Sequence, residues 1–244
     1  MTVSRALLFA TFIAACTRLI SSGRYNGRDL AIIYTNRGNA WRVKGDAYRA
    51  VADYGQAIAI DPQYVLAYTR RGSAWGGKGD LDRAIADYTE VIRLDPINAL
   101  AYYYRGYAWG AKGDNERAVA DYDQAIGLDP NALSYSVRCR AHALAGNLPQ
   151  ALSDCDQAYR LSPNDGYTLA SRGFVYLRLG RLDDAIVEYD AAVKRSASTA
   201  FTLFGRGIAK QRKGDTAGGD ADVIAAKIIN PFIAKEFATK YGVQ

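Results

Sequence analysis

Residues 68–96 read YTRRGSAWGGKGDLDRAIADYTEVIRLDP. Thirty-four residues later, residues 102–130 read YYYRGYAWGAKGDNERAVADYDQAIGLDP, and thirty-four earlier, residues 34–62 read YTNRGNAWRVKGDAYRAVADYGQAIAIDP. A period of this length, with two apolar-periodic segments in each copy, describes a helix-turn-helix repeat. A single copy cannot bury its own apolar stripes, so copies stack and share a core with their neighbours.

The second copy carries an aromatic at Tyr68, a small residue at Gly72, an aromatic at Trp75, then Ala84, Tyr88 and a closing Pro96. In these residues it resembles a tetratricopeptide repeat (TPR). The resemblance implies an all-α fold: a right-handed α-solenoid of six TPR helix-turn-helix units with capping helices at both ends. The units are placed at 31–64, 65–98, 99–131, 132–165, 166–199 and 200–233. Residues 1–30 are expected to form an N-terminal half-repeat and loop, and 234–244 a closing helix and tail, with Phe232, Ile233, Phe237 and Tyr241 on one face and a frayed 242–244. The fold is a scaffold reused for many partners, so function has to be argued from its surface.

Composition narrows the function classes. The 244 residues carry 31 Lys and Arg against 25 Asp and Glu, a net +6 that is thin over a long surface and no nucleic-acid footprint. The 18 tyrosines mostly occupy repeat positions that pack helix on helix, so most are expected in the core.

The N-terminal segment MTVSRALLFATFIAACTRLI has two readings. A charged start and a short apolar run resemble a signal peptide, and Ile13-Ala14-Ala15-Cys16 resembles a bacterial lipobox with Cys16 as the lipidated residue. That reading implies an exported protein, touching a membrane only through Cys16. Alternatively Ile13–Ile20 aligns with Ile85–Ile92 of the second unit, which puts Cys16 at the Tyr88 place and makes the segment a capping half-repeat. The stretch also resembles those of alpha-proteobacterial repeat proteins. Both a cytoplasmic and a periplasmic location remain open at this point.

Within the repeats, Gly45-Asp46, Gly79-Asp80, Gly113-Asp114 and Gly214-Asp215 end one helix and cap the next, with Gly146-Asn147 and Gly180-Arg181 as variants. Gly38, Gly72, Gly106, Gly173 and Gly207 fall mid-helix and predict close approach of a second helix, with Ala50, Ala84, Ala118 and Ala185 as the facing residues. An arginine precedes each of these glycines: Arg37, Arg71, Arg105, Arg172 and Arg206, with Arg138 in the fourth unit. Each second helix carries an acid: Asp53, Asp87, Asp121, Asp154, Glu188 and Asp222. The recurrence predicts a ladder of Arg–carboxylate forks across helices; an arginine stripe facing a ligand is the alternative. In the fourth unit Cys139 replaces the glycine. Cys139 and Cys155 face each other and could bridge in an oxidising compartment; two free buried thiols are expected instead. Thr216-Ala217-Gly218-Gly219 reads as a poor opening for the last second helix.

No catalytic constellation is expected. His142 is the single histidine, the three cysteines share no metal spacing, and Gly76-Gly77-Lys78-Gly79 lacks the strand and order of a phosphate loop. No cofactor and no metal are expected. The resemblance implies a concave groove lined by first helices, with partner-binding residues Asn39, Arg42, Arg70, Ser73, Tyr103, Tyr107, Arg140, Phe174 and Arg178. The carboxylate-clamp lysines of some relatives are replaced by Thr35 and Thr69. The expected partner is a protein or peptide held in that groove, without nucleic acid; the alternative is assembly into homo-oligomers through solenoid edges.

Overall fold

The computed structural model describes residues 3–195 and 199–239; Tyr241 and the 242–244 tail lie outside them. Among the described residues there are fourteen α-helices and no strand. The chain divides into two compact units, Met1–Lys112 and Gly113–Gln244. The first contains α1 (Val3–Ser21), α2 (Gly27–Val43), α3 (Ala47–Ile60), α4 (Val65–Gly77), α5 (Leu81–Leu94) and α6 (Ala99–Lys112). The second contains α7 (Asn115–Leu128), α8 (Ala132–Leu144), α9 (Leu148–Leu161), α10 (Gly166–Arg178), α11 (Leu182–Lys194), α12 (Ala200–Lys213), α13 (Thr216–Ile229) and α14 (Ile233–Thr239). In each unit, helices adjacent in the chain pack on one another. The first helices of successive repeats also touch: α2 with α4 and α4 with α6 in one unit, α8 with α10 and α10 with α12 in the other.

The turns work as their residues require. Gly79 and Gly113 sit at φ 80° and 89°, a region open to glycine, and end α4 and α6. Asp46, Asp80, Asp114 and Asp215 each accept a backbone N–H three residues on and so start the next helix. The variants Asn147 and Arg181 make no such cap.

The arginine forks are present. Arg37, Arg71, Arg138 and Arg206 each grip the acid sixteen residues on through Nε and Nη2, with Nη2···O distances of 2.7, 2.7, 2.6 and 2.5 Å to Asp53, Asp87, Asp154 and Asp222. Arg172 reaches Glu188 with one arm at 2.5 Å, leaving Arg172 Nε and Glu188 Oε2 buried without partners; the longer glutamate does not complete the fork. Asp121 is buried like its counterparts. Arg105 and Asp121 belong to different units.

A second set of partners was not foreseen. Nη1 of the repeat arginines reaches back to the preceding repeat: Arg105 to Thr89 Oγ1, Arg138 to Asp123, Arg172 to Asp156 and Arg206 to Asp190. Each of these stands two residues beyond the acid of the earlier repeat. Arg37 makes the same contact with Thr17 on α1, so α1 fills the place of a second helix beside α2. Its Ile13 and Cys16 are buried, and burial pushes the Cys16 thiol up.

Three packing expectations change. First, the groups against the mid-helix glycines are mainly tyrosine rings. A Cβ at Gly38 would meet Tyr54 at 2.7 Å, at Gly72 Tyr88 at 3.1 Å, and at Gly173 Tyr189 at 3.1 Å. Alanine across from glycine is too small to fill that space; Ala50 contributes only its carbonyl oxygen. Second, Cys139 and Cys155, at the glycine and tyrosine places, are joined as a disulfide with Cα atoms 5.3 Å apart, so they are not free thiols. A cystine replaces the glycine–ring contact, and closing a loop of this size contributes about 3 kcal/mol in the chain-entropy account. Third, α13 begins at Thr216 despite its glycines, because Asp215 caps Gly218 N–H and Gly219 lies against Gly207, where either Cβ would come within 3 Å of the other's carbonyl oxygen.

Two outcomes follow from this packing. Asp87 is 5% exposed and Arg71 26%, so Asp87→Ala, which strands the guanidinium, is expected to cost about 2–4 kcal/mol in urea denaturation. The Arg71→Ala/Asp87→Ala double variant should lose less than the two single losses combined. A loss below about 0.5 kcal/mol for Asp87→Ala would put it with ordinary solvated positions. Tyr189 is fully buried and its hydroxyl has no partner. Tyr189→Phe keeps the ring on Gly173 and is therefore expected to raise the melting temperature, with a gain of about 1 kcal/mol; a drop of that size would reveal a hidden partner for the hydroxyl.

Candidate functional site

In the first unit the residue after each mid-helix repeat glycine is Asn39 on α2, Ser73 on α4 and Tyr107 on α6. Asn39 is half-buried, and its side-chain carbonyl accepts the Tyr54 hydroxyl at 2.8 Å. Burial pushes that hydroxyl's pKa up, while the nearby charges of Arg42 and Arg70 pull it down. Three of the expected contact residues thus converge on one phenol, and both arginines are solvent-exposed. Ser73 is exposed. Tyr107 is 53% exposed. Tyr103, one turn earlier, is half-buried with its ring edge-on to Tyr104 at 5.2 Å, and Tyr104 stacks on Tyr88 at 5.6 Å.

Beside Asn39 lies an apolar hollow of about 330 Å³, walled by Leu8, Phe9 and Phe12 of α1 and by Asn36, Ala40 and Val43 of α2. Sequence reasoning assigned α1 a capping role and missed this wall. The signal was the run of large apolar residues at 7–12, more than the buried Ile13 and Cys16 need. Thr35 and Thr69 donate to carbonyls of their own helices, Ala31 and Val65, and so are spent within α2 and α4.

The second unit differs. Arg140 on α8 lays its guanidinium over Tyr167 at 5.0 Å and Phe201 at 5.9 Å. Arg178 is half-buried at the end of α10. Phe174, expected to line the groove, is wholly buried. It follows Gly173 as Asn39 follows Gly38, so its repeat position is as expected, but Phe237 of α14 covers it with ring centroids 6.5 Å apart. Phe232, expected on the covering face of that helix, is exposed, and Ile233 and Phe237 form the buried pair.

Residues 69–133 and 110–166 match the family model for the tetratricopeptide repeat. The matched stretch, 69–166, is tetratricopeptide repeat. No curated protein matches the sequence closely. Among solved structures it is similar to a tetratricopeptide repeat protein from Parabacteroides merdae, with 18% identity and a TM-score of 0.77 over 93% of this chain and 90% of that one. It is also similar to PilW, a type IV pilus biogenesis factor, at 16% identity and a TM-score of 0.72 over 86% and 99%. A third is YrrB, a repeat protein with an unusual peptide-binding site, at 20% identity and a TM-score of 0.53 over 76% and 97%. At these identities the likeness speaks for the fold.

Among the described residues, no group of three or more His, Cys, Asp or Glu is placed to hold a metal, and no helix is long and apolar enough to cross a membrane. The last second helix presents an apolar stripe: Ile224 is 60% exposed and Ile228, one turn on, 79%. Ile224 occupies the place where Thr89, Asp123, Asp156 and Asp190 meet an arginine of the next repeat.

His142 stands at the place of Trp75 and of Lys210. Lys210 donates to Asp222 at 2.9 Å; two hydrogen bonds from Arg206 and one from Lys210 outweigh burial and hold the Asp222 carboxyl below its ordinary value. His142 Nε2 lies 3.8 Å from Asp154, and its Nδ1 is buried without a partner. Burial holds its pKa below the usual 6.5 against the pull of Asp154, and Arg138 lowers it further. The unfolded chain therefore takes up this proton first. Stability is level above about pH 6.5 and falls as the pH drops from there towards the lowered folded value. Urea midpoints between pH 7 and 5 should fall less steeply for His142→Gln than for the native chain, which has no other histidine; parallel profiles would mean that His142 titrates normally when folded.

Proposed function

We propose that this repeat protein is a non-enzymatic interaction scaffold that grips a peptide or helix of a partner protein on the face formed by α2, α4 and α6. The observation that carries this reading is Tyr107, more than half exposed at a repeat position where the neighbouring repeats hold Asn39 and Ser73. The repeat itself does not need a ring there. With Tyr103 one turn away, it gives an aromatic centre flanked by the cations Arg42 and Arg70 and the amide of Asn39. Aromatic and arginine side chains in that arrangement are the usual anchors of an interface. The extended hollow beside α1 would take an apolar side chain of the same partner. That YrrB has a peptide-binding site on a comparable fold is in keeping with this use.

A second reading is self-assembly through the repeat edge, and the observation in its favour is the exposed Ile224–Ile228 stripe on α13. The two are separable. A partner captured by the intact chain and then purified should bind the Tyr103→Ala/Tyr107→Ala variant more weakly by about 2 kcal/mol or more, with helical content and mass in solution unchanged. Unchanged affinity would remove the α6 patch from the interface. A concentration-dependent mass that disappears in Ile224→Lys/Ile228→Lys would establish the edge as the self-association surface.

A further inference from the structure

In the second unit the first-helix face is already occupied. α14 packs on α12 and α13, and its Phe237 ring lies 4.8 Å from Phe204, 5.2 Å from Phe201 and 6.5 Å from Phe174. Ile233, one turn before, is 2% exposed. Lys235, Ala238 and Thr239 face solvent on the other side. α14 is thus an amphipathic helix that sets an aliphatic and an aromatic residue, four apart, into an aromatic wall built by α10 and α12. That is the geometry by which partner helices dock in grooves, here made by the chain's own segment.

The attachment of α14 is slight. It has seven residues, follows the Asn230-Pro231 break, and among its described side-chain bonds to the preceding turn is one from Asn230 to Glu236 at 3.3 Å. Two turns of helix have no stability of their own in water. The order of α14 therefore derives from Ile233 and Phe237. The wall beneath is different: Phe174 and Phe204 are held by α10 and α12, which are full repeat helices anchored by the one-armed Arg172–Glu188 pair and the Arg206–Asp222 fork.

We propose that the α10–α12 face is a binding site for an amphipathic helix of a partner protein bearing an aliphatic and an aromatic residue at i and i+4, and that α14 occupies it in cis until such a helix displaces it. Because α14 is tethered, it competes at a millimolar effective concentration. The partner's apparent affinity is scaled down by the fraction of molecules in which α14 has lifted. The site is independent of the α6 patch and stands or falls separately from it.

The test uses the full chain and a fluorescent synthetic peptide of residues 229–239, INPFIAKEFAT. The peptide is expected to bind the Phe237→Ala chain at least about ten-fold more tightly than the native chain, in which α14 competes, and a peptide with alanine at the 237 place should bind neither. In the native chain, hydrogen exchange should show α14 amides opening while those of α12 stay protected. Failure of the peptide to bind a Phe237→Ala chain that keeps its helical signal and cooperative unfolding would overturn the proposal. So would exchange of α14 only together with α12, which would make α14 a permanent part of the core. Should Phe237→Ala lose its fold, the exchange measurement on the native chain decides alone.

Discussion

Each repeat depends on an arginine that must be neutralised where it is buried. A guanidinium presents a planar fork on one edge and a free arm on the other. Here the fork takes the acid of its own repeat and the arm takes a hydroxyl or carboxylate of the repeat before. One side chain therefore fixes both the hairpin and the stacking of neighbouring hairpins. Removing either partner would leave an uncompensated charge in a place with little water, and that penalty is larger than the net worth of the pair. The demand explains why acids recur in register on the second helices, and why a hydroxyl or acid often follows two residues later. Arg71 is the exception, with neither a hydroxyl nor an acid at that place: the residue two beyond Asp53 is Gly55, and an added Cβ there would lie 3.8 Å from Arg71 Nη1. Asp87 then has one cation against its burial and its carboxyl is pushed up, whereas Asp222, with Arg206 and Lys210, is held down.

Packing between the two helix layers follows a second rule. A tyrosine ring from the second helix lies close against a backbone made bare by glycine, and it also meets the next repeat: Tyr104 stacks on Tyr88, and Gly205 gives way to Tyr189. The fourth repeat breaks this rule and repairs it covalently. A cysteine side chain is shorter than a tyrosine's, and the Cys139–Cys155 bond holds α8 and α9 together at the place of the ring. The sixth repeat breaks it in another way, bringing Gly219 directly against Gly207 with Val223 filling the tyrosine place.

These two rules use up most of each helix and leave one face of the first helices unspent. In the first unit that face is polar and aromatic and open to solvent. In the second it is built from phenylalanine and is covered by α14. The difference is one of water: asparagine, serine and arginine need no cover, while Phe174, Phe201 and Phe204 together would expose a large apolar surface. The same repeat position thus serves recognition in one unit and an internal contact in the other.

The sequence by itself determined the repeat, the helix boundaries near Gly-Asp, and the arginine–acid ladder, because these are local or recur at a fixed spacing of sixteen residues. Its reading of Arg37–Asp53 or Arg206–Asp222 needed only the period. Only the tertiary structure decided what lies across from each glycine, since alanine and tyrosine both recur in the second helix and spacing does not say which reaches the axis. It alone joined Cys139 to Cys155, where the choice between thiols and a bond rests on a separation of atoms. It alone removed Phe174 from the surface: the residue that covers it, Phe237, is sixty-three positions away, outside any repeat period, and a contact at that range depends on how the chain folds back after Pro231.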